Sequence, residues 1–161
     1  MRALISVVLA LSLAACGFQL RGSQPLPFSS MHFAVADSSV IGIGLKRQVR
    51  AQGGTRIADS PQEAEAIFTI IGEAREKQIL SVSGTGRVRE FQLRYRLAFR
   101  VHDLKGRELI APSEIVLART LSFSDEYVLA KEREEELLYR DMEGDMVQQL
   151  MRRLAVAKAG N

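Results

Sequence analysis

Phe91-Gln92-Leu93-Arg94-Tyr95-Arg96-Leu97-Ala98-Phe99-Arg100-Val101 decides the fold. Its odd positions are Phe91, Leu93, Tyr95, Leu97, Phe99 and Val101, and its even positions are Gln92, Arg94, Arg96, Ala98 and Arg100. Successive side chains on a strand point to opposite faces, so this order puts a large apolar surface on one side and three guanidiniums on the other. A helix would scatter the same residues around its whole circumference. The segment is a strand, and one of its faces needs a cover.

Downstream, Asp103 to Arg107 with Lys105-Gly106 reads as a turn. Pro112 limits regular pairing before a further strand, Glu114 to Phe123, in which Ile115, Leu117, Leu121 and Phe123 share a face with Arg119 as the intruder. Upstream, Ser83-Gly84-Thr85-Gly86 lies between strands. A phosphate-cradling loop needs a helix straight after it, and here a strand follows, so a hairpin tip is the better reading. The strand before it runs from Ala66 to about Glu76, with Phe68, Ile70 and Ala74 alternating with Thr69, Glu73 and Arg75. Nearer the N-terminus, Met31 to Ala36 suits a first strand. Asp37-Ser38-Ser39 offers capping chemistry, and Ile41, Leu45 and Val49 mark one face of a helix that Gly53-Gly54 stop. Lys46, Arg47 and Arg50 fall away from that stripe.

After Ser124-Asp125 the apolar period changes from two to about four: Leu138, Met142, Met146, Leu150 and Leu154, widened by Val147 and Met151. This predicts a long amphipathic helix covering the apolar face of the sheet. Its start, Lys131 to Glu136, is almost all charge, and a Glu136–Arg140 pair there contributes only about 0.3–0.5 kcal/mol. The predicted fold is α+β, a two-layer sandwich with a four-stranded mixed sheet in the order β-α-β-β-β-α. Both helices lie on one face, and the first makes a right-handed crossover. The other face is left open.

The N-terminus carries a different signal. Arg2 precedes an apolar run, Ala3 to Ala15, far shorter than the roughly 20 residues that span a bilayer. Leu13-Ala14-Ala15-Cys16 resembles a bacterial lipobox: small residues before the cut, then a thiol for a diacylglyceryl group and a freed amine for a third acyl chain. This predicts a signal peptide over residues 1–15, a lipidated tether over 16–30 and a single domain over 31–161. Gly17, where an Asp would resemble an inner-membrane retention signal, favours the outer membrane. With 22 Lys plus Arg against 19 Asp plus Glu, loss of Arg2 leaves 21 against 19, a nearly neutral mature chain. The only cysteine is Cys16, so no disulfide is expected and the domain must hold by burial.

The open sheet face carries Arg94, Arg96 and Arg100, with Arg87 and Arg89 just before the strand. Cations about 6.6–7 Å apart along a strand suit the phosphates of an anionic glycolipid, or serve as a solvated face that blocks edge pairing. Arg87 and Arg89 share the parity of the apolar residues, so either they lie beyond the edge of the core or a bulge intervenes. His32 and His102 are the only histidines, with no free cysteine to join them and no motif for a nucleophile and base. No enzyme is expected, nor a metal, a cofactor or a nucleic-acid partner.

Three short motifs resemble one family. Cys16-Gly17-Phe18-Gln19-Leu20-Arg21 is similar to the lipobox-plus-CG(F/W)xLR opening of the LptE (RlpB) lipopolysaccharide-assembly lipoproteins. Glu90-Phe91-Gln92-Leu93 resembles the entry to that family's long third strand. Leu129-Ala130-Lys131-Glu132 resembles the start of its last helix. The resemblance implies a non-catalytic outer-membrane lipoprotein, lipid-anchored on the periplasmic side, that plugs and helps assemble the LptD barrel and takes part in lipopolysaccharide transport to the surface. It also implies lipopolysaccharide binding. Lys131 matches a basic family position; a second, an arginine, aligns nearest Gly84, with Arg87 and Arg89 close by as substitutes. Read without the resemblance, the same features fit an envelope lipoprotein scaffold that binds another partner and never touches lipopolysaccharide.

Overall fold

Ser39 shows how local chemistry starts the fold. Its side chain accepts a hydrogen bond from the Gly42 amide at 3.1 Å, capping helix α1, Val40–Gln52. In the computed structural model, which describes residues 25–157, α1 follows strand β1 (Ser30–Ala34) and precedes β2 (Arg56–Ile57), β3 (Ala66–Val82), β4 (Val88–His102), β5 (Glu108–Ser122) and helix α2 (Val128–Ala155). Cys16 and the expected leader lie outside the described residues.

The strands form one mixed sheet in the order β2-β1-β3-β4-β5. β1 runs parallel to both β2 and β3, and β3, β4 and β5 form an antiparallel meander. The α+β architecture matches the expectation, but the sheet has five strands rather than four. β2 is only two residues long, too short to leave a periodic trace in sequence. It forms because Gly53 and Gly54, with φ of 72° and 82°, turn the chain back beside β1, where Thr55 Oγ1 donates to the Phe28 carbonyl at 2.8 Å. Leu26 and Phe28, in the stretch expected to be a tether, are buried in the core, which therefore starts ahead of residue 31.

Two bulges explain where the alternation misleads. Ile70 pairs with Phe99 but Gly72 with Ala98, so Ile71 is an extra residue in β3. One inserted residue exchanges the faces of everything beyond it. Phe68 and Ile70 still point at the core, but Ala74, expected to point inward, turns out. Glu73, Arg75 and Lys77 instead lie opposite Leu97, Tyr95 and Leu93 on the helix side. In β5, Val101 pairs with Ile110 and Phe99 with Ser113, so the proline expected to precede the strand sits at a bulge inside it, where its missing N–H matters least.

The core lies between the sheet and the two helices: Met31, Phe33, Phe68, Leu97, Phe99 and Val101 from the strands, Ile41, Leu45 and Val49 from α1, and Met142, Met146, Leu150 and Leu154 from α2. The helices approach closely because a glycine lies at their contact; a methyl on Gly44 would come within 2.8 Å of Val147 Cγ2.

Candidate functional site

β1 covers only Ala66 to Thr69 of β3, so the far part of β3 and its hairpin with β4 run on past it. At the tip, the Gly86 amide donates to Ser83 O at 2.9 Å and the Ser83 amide to Arg87 O at 2.7 Å, with Gly86 at φ 78°. Ser83-Gly84-Thr85-Gly86 is thus a hairpin turn. The chain leaving β5 returns to the same place, where the Phe123 amide donates to Arg89 O at 2.8 Å and the Phe91 and Phe123 rings meet edge-on at 5.2 Å. α2 begins there.

This end gathers three cations named from sequence. Arg87 lies 4.0 Å from Asp125, with both side chains mostly exposed. Arg89 is the extra residue of a bulge, since Glu90 pairs with Ser81 and Val88 with Val82. The bulge settles its parity, and its guanidinium has no ion pair or hydrogen bond among the described residues. Lys131, at the end of the first turn of α2, donates to Ser122 Oγ at 2.9 Å and Glu134 Oε2 at 2.7 Å, and its side chain is only 19% exposed. A preorganised ammonium beside two exposed guanidiniums suits phosphate oxygens.

The second basic group is less available. Arg96 donates to Glu114 at 2.9 and 3.1 Å and lies 3.6 Å from Glu76, and the Glu114 hydrogen bond holds its pKa above the ordinary arginine value. Arg94 Nε donates to Gln92 at 2.8 Å. Arg100 is exposed and makes no ion pair among the described residues. The three guanidiniums therefore do not act as one ladder.

Beside this end, around buried Leu93, Tyr95 and Leu121, α2 also meets the sheet through polar side chains. Arg75 pairs with the buried Glu143 and sits over the rings of Tyr139 and Tyr95, 5.2 and 5.6 Å from their centroids. The Tyr95 hydroxyl donates to Glu73, the Tyr139 hydroxyl to Glu76 O at 2.9 Å, and Lys77 reaches Glu135 at 2.6 Å. Burial first, and then the hydrogen bond to Glu73, raises the Tyr95 pKa far above its usual value; burial and the Glu135 charge raise that of Tyr139.

His32 Nδ1 lies 3.0 Å from Ala58 O and His102 Nδ1 2.8 Å from Asp103 O, each a backbone contact. Among the described residues no group of three His, Cys, Asp or Glu side chains could hold a metal, and no helix is long and apolar enough to cross a membrane.

The model of the lipopolysaccharide-assembly family LptE matches residues 28–154, from the first buried phenylalanine to the last buried leucine of α2. The chain belongs to the LptE family. The LPS-assembly lipoprotein LptE of Yersinia enterocolitica is 29% identical over 153 residues, covering 91% of this chain and 71% of that protein. The solution structure of lipoprotein B from Nitrosomonas europaea is 42% identical, with a TM-score of 0.74 over 86% of this chain and 90% of that one. The rare lipoprotein B of Shewanella oneidensis, 23% identical with a TM-score of 0.68 over 78% of this chain and 93% of that one, shares the fold.

Within this LptE chain, the residues that sequence reasoning missed are Arg75, Lys77 and Glu143. The acids of the last helix read as a wet face, yet Glu143 is buried. The available signal was the run Glu73-Ala74-Arg75-Glu76-Lys77: three of its four charges are at odd positions, so an inserted residue before it turns those three toward the helix.

Proposed function

We propose that this LptE-family chain is a non-catalytic outer-membrane lipoprotein, anchored through acylated Cys16, that plugs and helps assemble an LptD-type barrel and contacts lipopolysaccharide on its way to the surface. The observation that carries the reading is the convergence of Lys131, Arg87 and Arg89 where the β3–β4 turn meets the start of α2. Phosphates there would share Lys131 with Glu134 and draw Arg87 from Asp125. Arg87–Asp125 is an exposed pair of the kind that contributes about 0–1 kcal/mol, so drawing Arg87 away costs little. A lipid tether raises the local concentration of the domain at the membrane, which lets each barrel contact stay modest.

Replacing Lys131, Arg87 and Arg89 by Glu is expected to abolish lipopolysaccharide binding at low ionic strength while leaving the fold intact; unchanged affinity rejects the site. Purification in mild detergent should bring down a stoichiometric large barrel. A different partner, with no lipopolysaccharide binding, would instead support the envelope-scaffold reading. Mass spectrometry of the mature N-terminus should find acyl chains on Cys16.

A further inference from the structure

The end of the molecule that holds the three cations also exposes several large apolar side chains. Thirteen large apolar side chains stay exposed among the described residues, and six of them lie here. On β3 they are Ile79, Leu80 and Val82, at 60%, 48% and 55% exposure; at the start of α2 they are Tyr127, Val128 and Leu129, at 61%, 40% and 75%. Their exposure is built into the backbone. Ile79 pairs with Phe91 and Ser81 with Glu90, so Leu80 is the extra residue of a bulge, pushed out of the alternation that would have buried or paired it. The β5 exit tied to Arg89 O brings Tyr127 to Leu129 to the same end as that hairpin.

A site for a bare phosphate gains nothing from apolar neighbours, and a solvated hairpin tip would carry charge at these positions. Cations next to several unpartnered aliphatic side chains match instead a ligand with anionic groups on one part and hydrocarbon on the next. We propose that Ile79, Leu80 and Leu129 contact the acyl chains of an anionic lipid whose phosphates engage Lys131, Arg87 and Arg89, so that this end of the domain binds the junction between headgroup and hydrocarbon. The inference rests on the proposed function and specifies how that site meets its ligand: the cations give attraction that salt weakens, and the apolar residues give selectivity for acylated forms.

The test compares purified lipopolysaccharide with the same material stripped of its acyl chains but keeping its phosphates, each offered to the mature lipoprotein in nanodiscs of zwitterionic phospholipid. The parent protein is expected to bind the acylated form at least tenfold more tightly. The variant I79N/L80N/L129N, altered only at exposed positions, is expected to lose that preference while binding the deacylated form unchanged and melting at the same temperature. The Glu variants of Lys131, Arg87 and Arg89 should weaken both forms. A parent that binds both forms equally, or a triple Asn variant that keeps the preference, overturns the inference while leaving the phosphate site standing. Loss of the co-purifying barrel from the Asn variant, with its lipid preference intact, assigns the patch to the barrel wall and likewise overturns it. Binding of neither form by the parent rejects the proposed function, and this inference with it.

Discussion

The two halves of the sheet are held to the same helix by a different mix of forces. In the half that carries β1 and β2, α1 and the later turns of α2 press on a continuous apolar layer in which Phe68 stacks on Phe99 at a centroid distance of 5.6 Å and meets Phe33 at a tilt at 5.8 Å. In the other half, beyond Ile71, only β3, β4 and β5 remain, and the first turns of α2 bury no residue until Tyr139. There Leu93, Leu117 and Leu121 are still buried, but polar groups join them: Arg75 with Glu143, Lys77 with Glu135, the Tyr139 hydroxyl with Glu76 O, and within the sheet the Tyr95 hydroxyl with Glu73. Burial is non-directional and strong; ion pairs are directional and weaken in salt. The apolar half is thus the anchor of the fold. The polar half fixes the angle and register of α2, and with them the placement of Lys131.

The contrast is broken most severely from the apolar side. Phe68→Ala removes a ring with no exposed surface and should cost about 3–5 kcal/mol, read from the denaturant midpoint. Arg75→Ala leaves the carboxylate of buried Glu143 without its partner and should cost less, about 1–3 kcal/mol, since Arg75 itself is half exposed. The pair Arg75→Met with Glu143→Leu should restore most of that loss, because apolar groups of similar volume need no partner. Tyr95 sharpens the comparison through pH. Its folded pKa is raised above the ordinary 10.0, so its contribution is complete below that pH and is lost as pH rises toward the folded value. Thermal melts should show stability falling above pH 10, with a shallower fall in Tyr95→Phe. The smallest effect belongs to Lys77→Ala, about 0.2–1 kcal/mol, and should vanish in 1 M salt, whereas the Phe68→Ala cost should not.

What the sequence disclosed follows from what periodicity can encode. Phe91 to Val101 alternates without interruption and is a central strand whose partners lie on both sides. The stripe from Leu138 to Leu154 is a helix facing the core, and the Glu136–Arg140 pair forms at 3.8 Å on its exposed side. Where one residue is inserted, alternation misleads: Ile71 and Leu80 look like any other strand residues, and only pairing with a neighbour shows that they are extra. β2 is too short for a period to exist. Leu26 and Phe28 stand among prolines and serines, so their burial depends on a surface built by residues far along the chain. At the candidate site, the residue types were legible, since clustered cations need no periodicity to be noticed. Their convergence was not, because it depends on a bulge at Arg89 and on the route from β5 into α2.

Gly44 against Val147 makes α2 a lever with a fixed fulcrum. Val147 stands sixteen residues from Lys131, a lever arm of about 24 Å, so a tilt of about 5° at the pivot swings the ammonium by about 2 Å. A single methyl at residue 44 would therefore be felt as misaim at the opposite end of the domain. Substitutions at this crossing should accordingly impair the proposed headgroup contact before they impair folding.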